Sequence, residues 1–201
     1  MLQDLTYGRL ENEFYDREAT EQDLVICVCK NRILVKRTEE FHVTYPTVAT
    51  VKEWADKNGW KAWGEVHFQY VFRMQDVNYF LWMGDAGEPV DDTYHYEEIR
   101  QLSQFETKDV CFAACTAEHL FVWYRNNRFC GHCQTPTVHD HKERMLRCPN
   151  CGNMIFPKIA PACIIAVTNG DKLLLSQYAG RNYKRYALIA GFIEIGETAE
   201  E

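Results

Sequence analysis

The residues best placed to do chemistry in this chain are four cysteines. Cys130-Gly-His-Cys133 and Cys148-Pro-Asn-Cys151 are two Cys-x-x-Cys knuckles with fourteen residues between them. Each knuckle presents two soft thiolates, and two such pairs can converge on one ion. Tetrahedral coordination by four cysteines suits zinc, iron fits the same all-sulfur geometry, and four unligated core cysteines are the remaining reading. Four thiolates leave no open position for water, so the metal would hold the fold rather than act on a substrate. His139 and His141, between the knuckles, read as exposed loop residues rather than competing ligands.

The elements that must position these cysteines lie on both sides. Asp23–Cys29 and Ile33–Lys36 flank Lys30-Asn31-Arg32 as a β-hairpin, with Cys27 and Cys29 as core residues. Residues 49–58 read as a short helix stopped by Gly59. A second hairpin pairs His67–Arg73 with Asn78–Met83, followed by an acidic, solvated loop from Gly84 to Asp92. A helix over about 107–126 carries one apolar stripe, Val110, Ala114, Ala117, Phe121 and Tyr124, at steps of four, three, four and three. Cys111 and Cys115, one turn apart on it, read as core. This helix runs straight into Arg128-Phe129-Cys130. Beyond the second knuckle, strands are expected at 162–168, 172–176 and 186–193. Asn169-Gly170 gives a type I′ turn, and Gly180 to Arg185 a basic loop.

Composition bounds the class. The chain is 46% hydrophobic and 25% charged over 201 residues, which fits a soluble globular protein of one large or two small domains. No apolar run approaches the roughly eighteen residues of a membrane span. Residues 1–20 are acidic and lack the apolar core of a signal peptide. Nine cysteines, an odd number with four in metal spacing, fit a reducing cytoplasm better than a disulfide framework. The net charge of −7 is uneven: residues 1–120 hold 12 Lys+Arg against 22 Asp+Glu, a balance of −10. Residues 121–201 hold 10 against 7, a balance of +3. The acidic part is a poor nucleic-acid surface, while the basic part could attract a phosphate-bearing ligand.

The stretch from Gly191 to Glu197 has the spacing Gly-x5-Glu that opens the Nudix box. Arg128–Cys133, Cys148–Gly152, Phe156–Pro161, Cys163–Ala166 and Ala190–Thr198 together resemble the NADH pyrophosphatases (NAD+ diphosphatases) of the NudC type. The similarity is close from about residue 120 onward and loose before it. The resemblance implies an α+β protein: an N-terminal Nudix-like α/β domain over 1–126 ending in a long helix, a zinc ribbon over 127–157, and the first strands of a Nudix α/β/α sandwich over 158–201. It implies a cytoplasmic homodimer that hydrolyses the pyrophosphate of NADH or NAD+ to nicotinamide mononucleotide and AMP. In that family box glutamates hold Mg2+ or Mn2+, which stabilises charge on the phosphates.

Carried over position by position, the resemblance makes Cys130, Cys133, Cys148 and Cys151 ligands of a structural Zn2+. Ala190 offers a main-chain carbonyl to a catalytic divalent ion. Phe192 lies against the nucleotide, or else is plain core. Glu143 and Phe156 fall at substrate-contacting positions; the latter is usually Tyr, so a hydroxyl is missing here, and Glu143 is otherwise a solvated charge. Arg100 matches a substrate-binding arginine across a gap. Glu197 corresponds to a structural partner of the box arginine rather than to the base. The chain supplies four residues after Glu197 where the box needs seven before Arg-Glu. The metal-binding glutamates therefore fall beyond residue 201, and no catalytic residue is assigned. Left without the rest of their sheet, residues beyond about 160 are expected to oligomerise, aggregate or stay disordered. The same bond chemistry would remove an NAD cap from RNA. The competing reading is a zinc-dependent nucleic-acid or protein adaptor using Arg125, Arg128, Arg144, Arg147 and Lys158.

Overall fold

The computed structural model describes residues 5, 9–37, 43–89, 91–102, 108–180 and 184–200. Parts of the acidic lead-in, of the acidic loop and of the basic loop, and the first residue of the expected long helix, lie outside them. The chain divides into two compact units, Met1–Pro157 and Lys158–Glu201, and each is taken by itself.

The first unit is built from β1 (Leu10–Glu11), β2 (Leu24–Ile26), β3 (Val28–Cys29), β4 (Arg32–Arg37), β5 (Val43–Thr44) and α1 (Val48–Asn58). It continues through β6 (Lys61–Ala62), β7 (Phe68–Met74), β8 (Val77–Trp82), β9 (Gly84–Asp85), β10 (Tyr94–Glu98), α2 (Ile99–Leu102) and α3 (Lys108–Asn126). The short strands β11 (Val138–His139), β12 (Leu146–Arg147) and β13 (Met154–Ile155) close it. One sheet has the order β1-β7-β8-β2, with β2 parallel to β8 and the other pairs antiparallel. A second has the order β10-β4-β3, with β5 on the C-terminal end of β4.

Both expected hairpins form, and their turns explain their register. Lys30-Asn31 has φ of 49° and 64°, and Gln75-Asp76 has 51° and 63°. Two consecutive left-handed residues match the twist of the flanking strands, and Asn and Asp tolerate that region well. The first hairpin departs from the expectation in one respect. Its leading strand is divided at Cys27: Leu24–Ile26 joins the β8 sheet, while Val28–Cys29 pairs with β4.

Strand alternation then sorts side chains into two layers. Val25, Cys27 and Leu34 pack with Val48, Val51 and Trp54 of α1 and with Trp60 and Trp82. Their neighbours Ile26, Val28, Ile33 and Val35 join Val71, Phe72 and Leu81 against Cys111, Ala114, Ala117, Phe121 and Tyr124 of α3. Thus α1 and α3 serve opposite faces of one β layer. Helix α1 starts at Thr47, whose hydroxyl accepts from the Thr50 N–H, and ends at Gly59 with φ 66°.

Two features of the first unit escaped sequence reading. β10 lines the edge of β4 in the register Tyr94↔Lys36 to Glu98↔Arg32. Its one aromatic face is short, Tyr94 and Tyr96 packing against the cluster under α1 before the strand ends in two glutamates. The segment expected to be a solvated loop opens with β9, and Gly84 is buried there. A Cβ on Gly84 would lie 2.3 Å from the Lys61 carbonyl oxygen, so only glycine lets β6 and β9 pair this closely.

The second unit holds β14 (Ala162–Ile165) paired antiparallel with β17 (Ile189–Phe192), and a hairpin of β15 (Thr168–Asn169) with β16 (Lys172–Leu173). Ser176 and Ala187 exchange backbone hydrogen bonds between them. The hairpin turn lies one residue later than expected, because Asn169 pairs with Lys172 and the central residues become Gly170-Asp171. Only Gly170, at φ 60°, is left-handed there. None of the described residues 158–200 is buried.

Candidate metal centre and its surroundings

The two knuckles fold alike because each closes the same local loop. The Gln134 N–H donates to the Cys130 carbonyl and the Cys130 N–H to the Thr135 carbonyl. The Gly152 N–H likewise donates to the Cys148 carbonyl, and the Cys148 N–H to the Asn153 carbonyl. Gln134 (φ 63°) and Gly152 (φ 74°) take the left-handed position just after the second cysteine of each pair. Main-chain N–H groups then face the leading sulfurs: His132 N to Cys130 Sγ at 3.4 Å, Cys151 N to Cys148 Sγ at 3.5 Å.

The four sulfurs lie within 4.8 Å of one another, the one cluster of potential metal ligands among the described residues. Cys130 and Cys151 are 3.6 Å apart at Sγ, and Cys133 and Cys148 are 3.4 Å apart. Tetrahedral zinc with bonds of about 2.3 Å requires sulfurs about 3.8 Å apart, whereas a disulfide needs about 2.05 Å. The donor set therefore fits Zn2+, and four packed sulfurs are too far apart for disulfides.

Electrostatics agree with a cation at the centre. Hydrogen bonds from the Thr135 side chain and backbone, with Asn150 and Cys148, push the Cys133 thiol down to about 5. The N–H groups of Cys133 and His132 lower Cys130. For Cys151 the Asn153 N–H lowers the pKa, but burial and the sulfurs of Cys148, Cys133 and Cys130 outweigh it and carry it up to about 12. Without a metal the cluster can ionise only partly, since neighbouring thiolates repel; a divalent ion removes that penalty.

The ribbon is joined to the sheet of β7 by its inter-knuckle loop. Asp140 turns this loop by accepting from the Lys142 and Glu143 N–H groups at 2.8 and 3.1 Å. Those bonds hold the Asp140 carboxyl below the usual carboxylate range. Arg144 then reaches across: it donates to the carbonyl of Val71, and to Oδ1 of Asn12 at 2.8 Å and its carbonyl at 3.2 Å. Val71 sits at a bulge in the β7–β8 ladder, so no β8 residue opposes it and Arg144 takes its carbonyl. His139 packs its ring 5.1 Å from that of Tyr124, nearly parallel, with Nδ1 2.8 Å from Gln69 Oε1. His141 lies 2.7 Å from Asp16. His141 is exposed as expected; His139 is half-buried, because β11 turns it inward onto α3.

The remaining expected site residues are placed as follows. Glu143 is exposed on the Asp140 turn. Phe156 is 47% exposed and borders a shallow depression at the ribbon tip with His132, Cys151 and Asn153. Arg100 is exposed on α2. In the second unit, Ala190 pairs with Ile164, and Phe192, paired with Ala162, is 79% exposed. Glu197 accepts from the Glu194 N–H at 2.8 Å, closing the turn that follows β17. Of all these residues, the structure unites the four cysteines in one cluster. Sequence reading missed Trp63, which lines a cleft beside the ribbon with Arg128 and His139. Their spacing carries no signal because they come from separate elements.

Residues 125–156 match the model of the NADH pyrophosphatase zinc ribbon domain. The chain is 39% identical over 85 residues to a Pseudomonas aeruginosa protein named NAD-capped RNA hydrolase NudC, covering 42% of this chain and 31% of the relative. A Chromobacterium violaceum protein of the same name is 39% identical over 89 residues, 44% of this chain and 34% of the relative. One from Stutzerimonas stutzeri is 33% identical over 106 residues, 53% and 38%. The matched stretch thus spans about a third of the length of these curated relatives.

Proposed function

This is a NudC-type chain by its zinc ribbon, and from that premise we propose that it is part of a Nudix hydrolase acting on NAD(H). The reaction is hydrolysis of the dinucleotide pyrophosphate to nicotinamide mononucleotide and AMP, water attacking phosphorus. The observation that carries the reading is the ribbon, followed in the same chain by Gly191–Glu197 on a β-strand and its turn. Zinc fits the cluster as a structural ion, since all four positions are taken by thiolates.

Mg2+ or Mn2+, when bound, would neutralise the developing phosphate charge. Ala190 is the residue here that would offer such an ion an oxygen. A single carbonyl falls short of the several oxygens a hard divalent cation needs, so no step is drawn through it. Phe192, exposed beside it, is proposed to lie against the nucleotide. Glu143, Phe156 and Arg100 are proposed substrate contacts presented by the first unit. We assign the protein to the cytoplasm and to a homodimer. We keep the domain limits at 1–126, 127–157 and 158–201. Among the described residues no helix is long and apolar enough to cross a membrane.

A second reading, removal of the NAD cap from RNA, is favoured by the names of the relatives. Both readings are tested together. AMP release from NADH, and from an NAD-capped RNA, is followed with Mg2+ or Mn2+ for this chain and for the chain continued through a complete Nudix box and sheet. Cleavage by the continued chain alone supports the enzyme, and the ratio of the two rates assigns the substrate. Failure of both proteins, with salt-dependent RNA binding by this chain, would move the assignment to the zinc-dependent adaptor.

A further inference from the structure

Residues 12–19 follow β1 and enter neither a helix nor a strand. Among the described residues, 13–19 make no backbone–backbone hydrogen bond, so contacts through side chains hold this acidic strap in place. They do so on two sides. Toward the ribbon, Arg144 Nη1 donates to Oδ1 and the carbonyl of Asn12, at 2.8 and 3.2 Å, and His141 Nδ1 lies 2.7 Å from Asp16 Oδ2. Toward the sheet, Arg17 Nη1 donates to Asn78 Oδ1 at 2.9 Å, and its guanidinium lies 5.1 Å from the Tyr70 ring centre. Tyr15 packs edge-to-face with the same ring at 5.9 Å.

The strap therefore bridges the β7–β8 hairpin and the loop between the knuckles. Both of its ribbon partners, His141 and Arg144, belong to the fourteen residues between Cys133 and Cys148. The ends of that loop meet at the four sulfurs, which lie within 4.8 Å of one another. Zinc pins them there. Without the ion neighbouring thiolates repel, and the loop keeps its two-residue strands β11 and β12 and the Asp140 turn. A loop free at its base holds His141 and Arg144 less closely, and closing it again costs conformational entropy.

We propose that residues 12–17 form a zinc-responsive strap, docked while the knuckles hold the ion and loosened when it leaves. Linkage makes the coupling reciprocal: a docked strap raises the zinc affinity of the cluster by the same factor by which zinc favours docking. No ligand cysteine takes part in the strap contacts, so the effect reaches the ion through residues 134–147. The exposed pair His141 and Asp16 adds little alone; the half-buried Arg144 supplies most of the hold. Its bond to the Val71 carbonyl does not involve the strap and survives without it. The device turns metal occupancy into release of a surface segment carrying Glu13, Asp16 and Glu18. It rests on the zinc cluster and not on the hydrolase reading.

The test uses the full chain. Zinc affinity is measured by competition with a chromogenic chelator for the parent, for Asn12→Ala/Asp16→Ala together, and for Arg17→Ala. The double variant should bind zinc about tenfold more weakly. Arg17→Ala, whose contacts are to Tyr15, Tyr70 and Asn78 on the sheet side, should bind it severalfold more weakly. Each still takes one zinc per chain at saturation, because the ligands are intact. Thermal melts of the zinc-loaded proteins check folding, and Tyr15→Ala, which frees the same strap, replaces any variant that fails. Docking is read separately from the initial rate of tryptic cleavage after Arg17. Chelation should raise that rate about tenfold while the Val71 and Leu81 amides stay slow to exchange; where it opens those amides too, the affinities decide alone. Unchanged affinity in both variants overturns the proposal. So does a fall confined to the double variant, which would place the effect in the loop contacts and not in the strap. Equal cleavage with and without zinc over a protected sheet overturns it as well.

Discussion

At the scale of single residues, the metal ligands and His139 carry consequences of opposite kinds. Cys148 is buried, and its backbone closes the second knuckle. Cys148→Ser should abolish stoichiometric zinc in elemental analysis and lower the melting temperature by many degrees, because zinc binding contributes folding free energy directly. A variant that keeps one zinc per chain would refute ligation by all four cysteines. His139 acts through pH. Burial lowers its pKa from 6.5, with Asp16 raising it and His141 lowering it further. The unfolded chain therefore binds the proton more readily than the folded one. Its contribution to stability is complete above about pH 6.5 and is lost as pH falls through the folded-state value. Urea melts at pH 7.5 and 5.5 should show a loss at the lower pH that shrinks in His139→Phe. An identical loss in the variant would place the proton elsewhere.

At the scale of elements, the ribbon is held to the β7 sheet by Arg144. Arg144→Ala would leave the Val71 carbonyl at the bulge, and Asn12, without their donor. The expected cost is about 1–3 kcal/mol, or roughly 2–4 °C of melting temperature for each kcal/mol in a chain of this size. Zinc content should be unchanged, since the hydrogen bonds of Arg144 go to Asn12 and Val71. Loss of zinc with loss of Arg144 would mean that the loop sets the knuckles. This is also the scale at which sequence reasoning stops. The cysteine spacing, the four-three stripe of α3 and Gly59 were legible because each is a local rule. The split at Cys27, the inward turn of His139 and the β10 edge were not. Each depends on a strand choosing a partner far along the chain, and the alternation of Tyr94 and Tyr96 with His95 and Glu97 is too short to announce it. Arg144, equally, looks like a solvated charge until the bulge at Val71 gives it a carbonyl to satisfy.

At the scale of the whole molecule, the two units differ in what protects their backbones. The first encloses two apolar clusters, one under α1 and one under α3. The second has β14–β17 and a hairpin but buries none of its described residues. Ile164 is 71% exposed, Ile165 50%, Leu174 53% and Phe192 79%. Hydrogen bonds of a small sheet without a covered face open at little cost, because no buried area is lost with them. Hydrogen exchange of this chain should therefore show slow amides in Val71, Phe80, Leu81 and along α3, and amides of 162–192 exchanging orders of magnitude faster. Limited proteolysis should cut first just after Pro157, leaving a zinc-bound fragment with most of the melting enthalpy. The exposed aliphatics also predict concentration-dependent association, which would slow exchange in the second unit selectively. Slow exchange there at low micromolar concentration, in a species of monomer mass by ultracentrifugation, would show that the strands are protected by something other than a partner and would overturn this account.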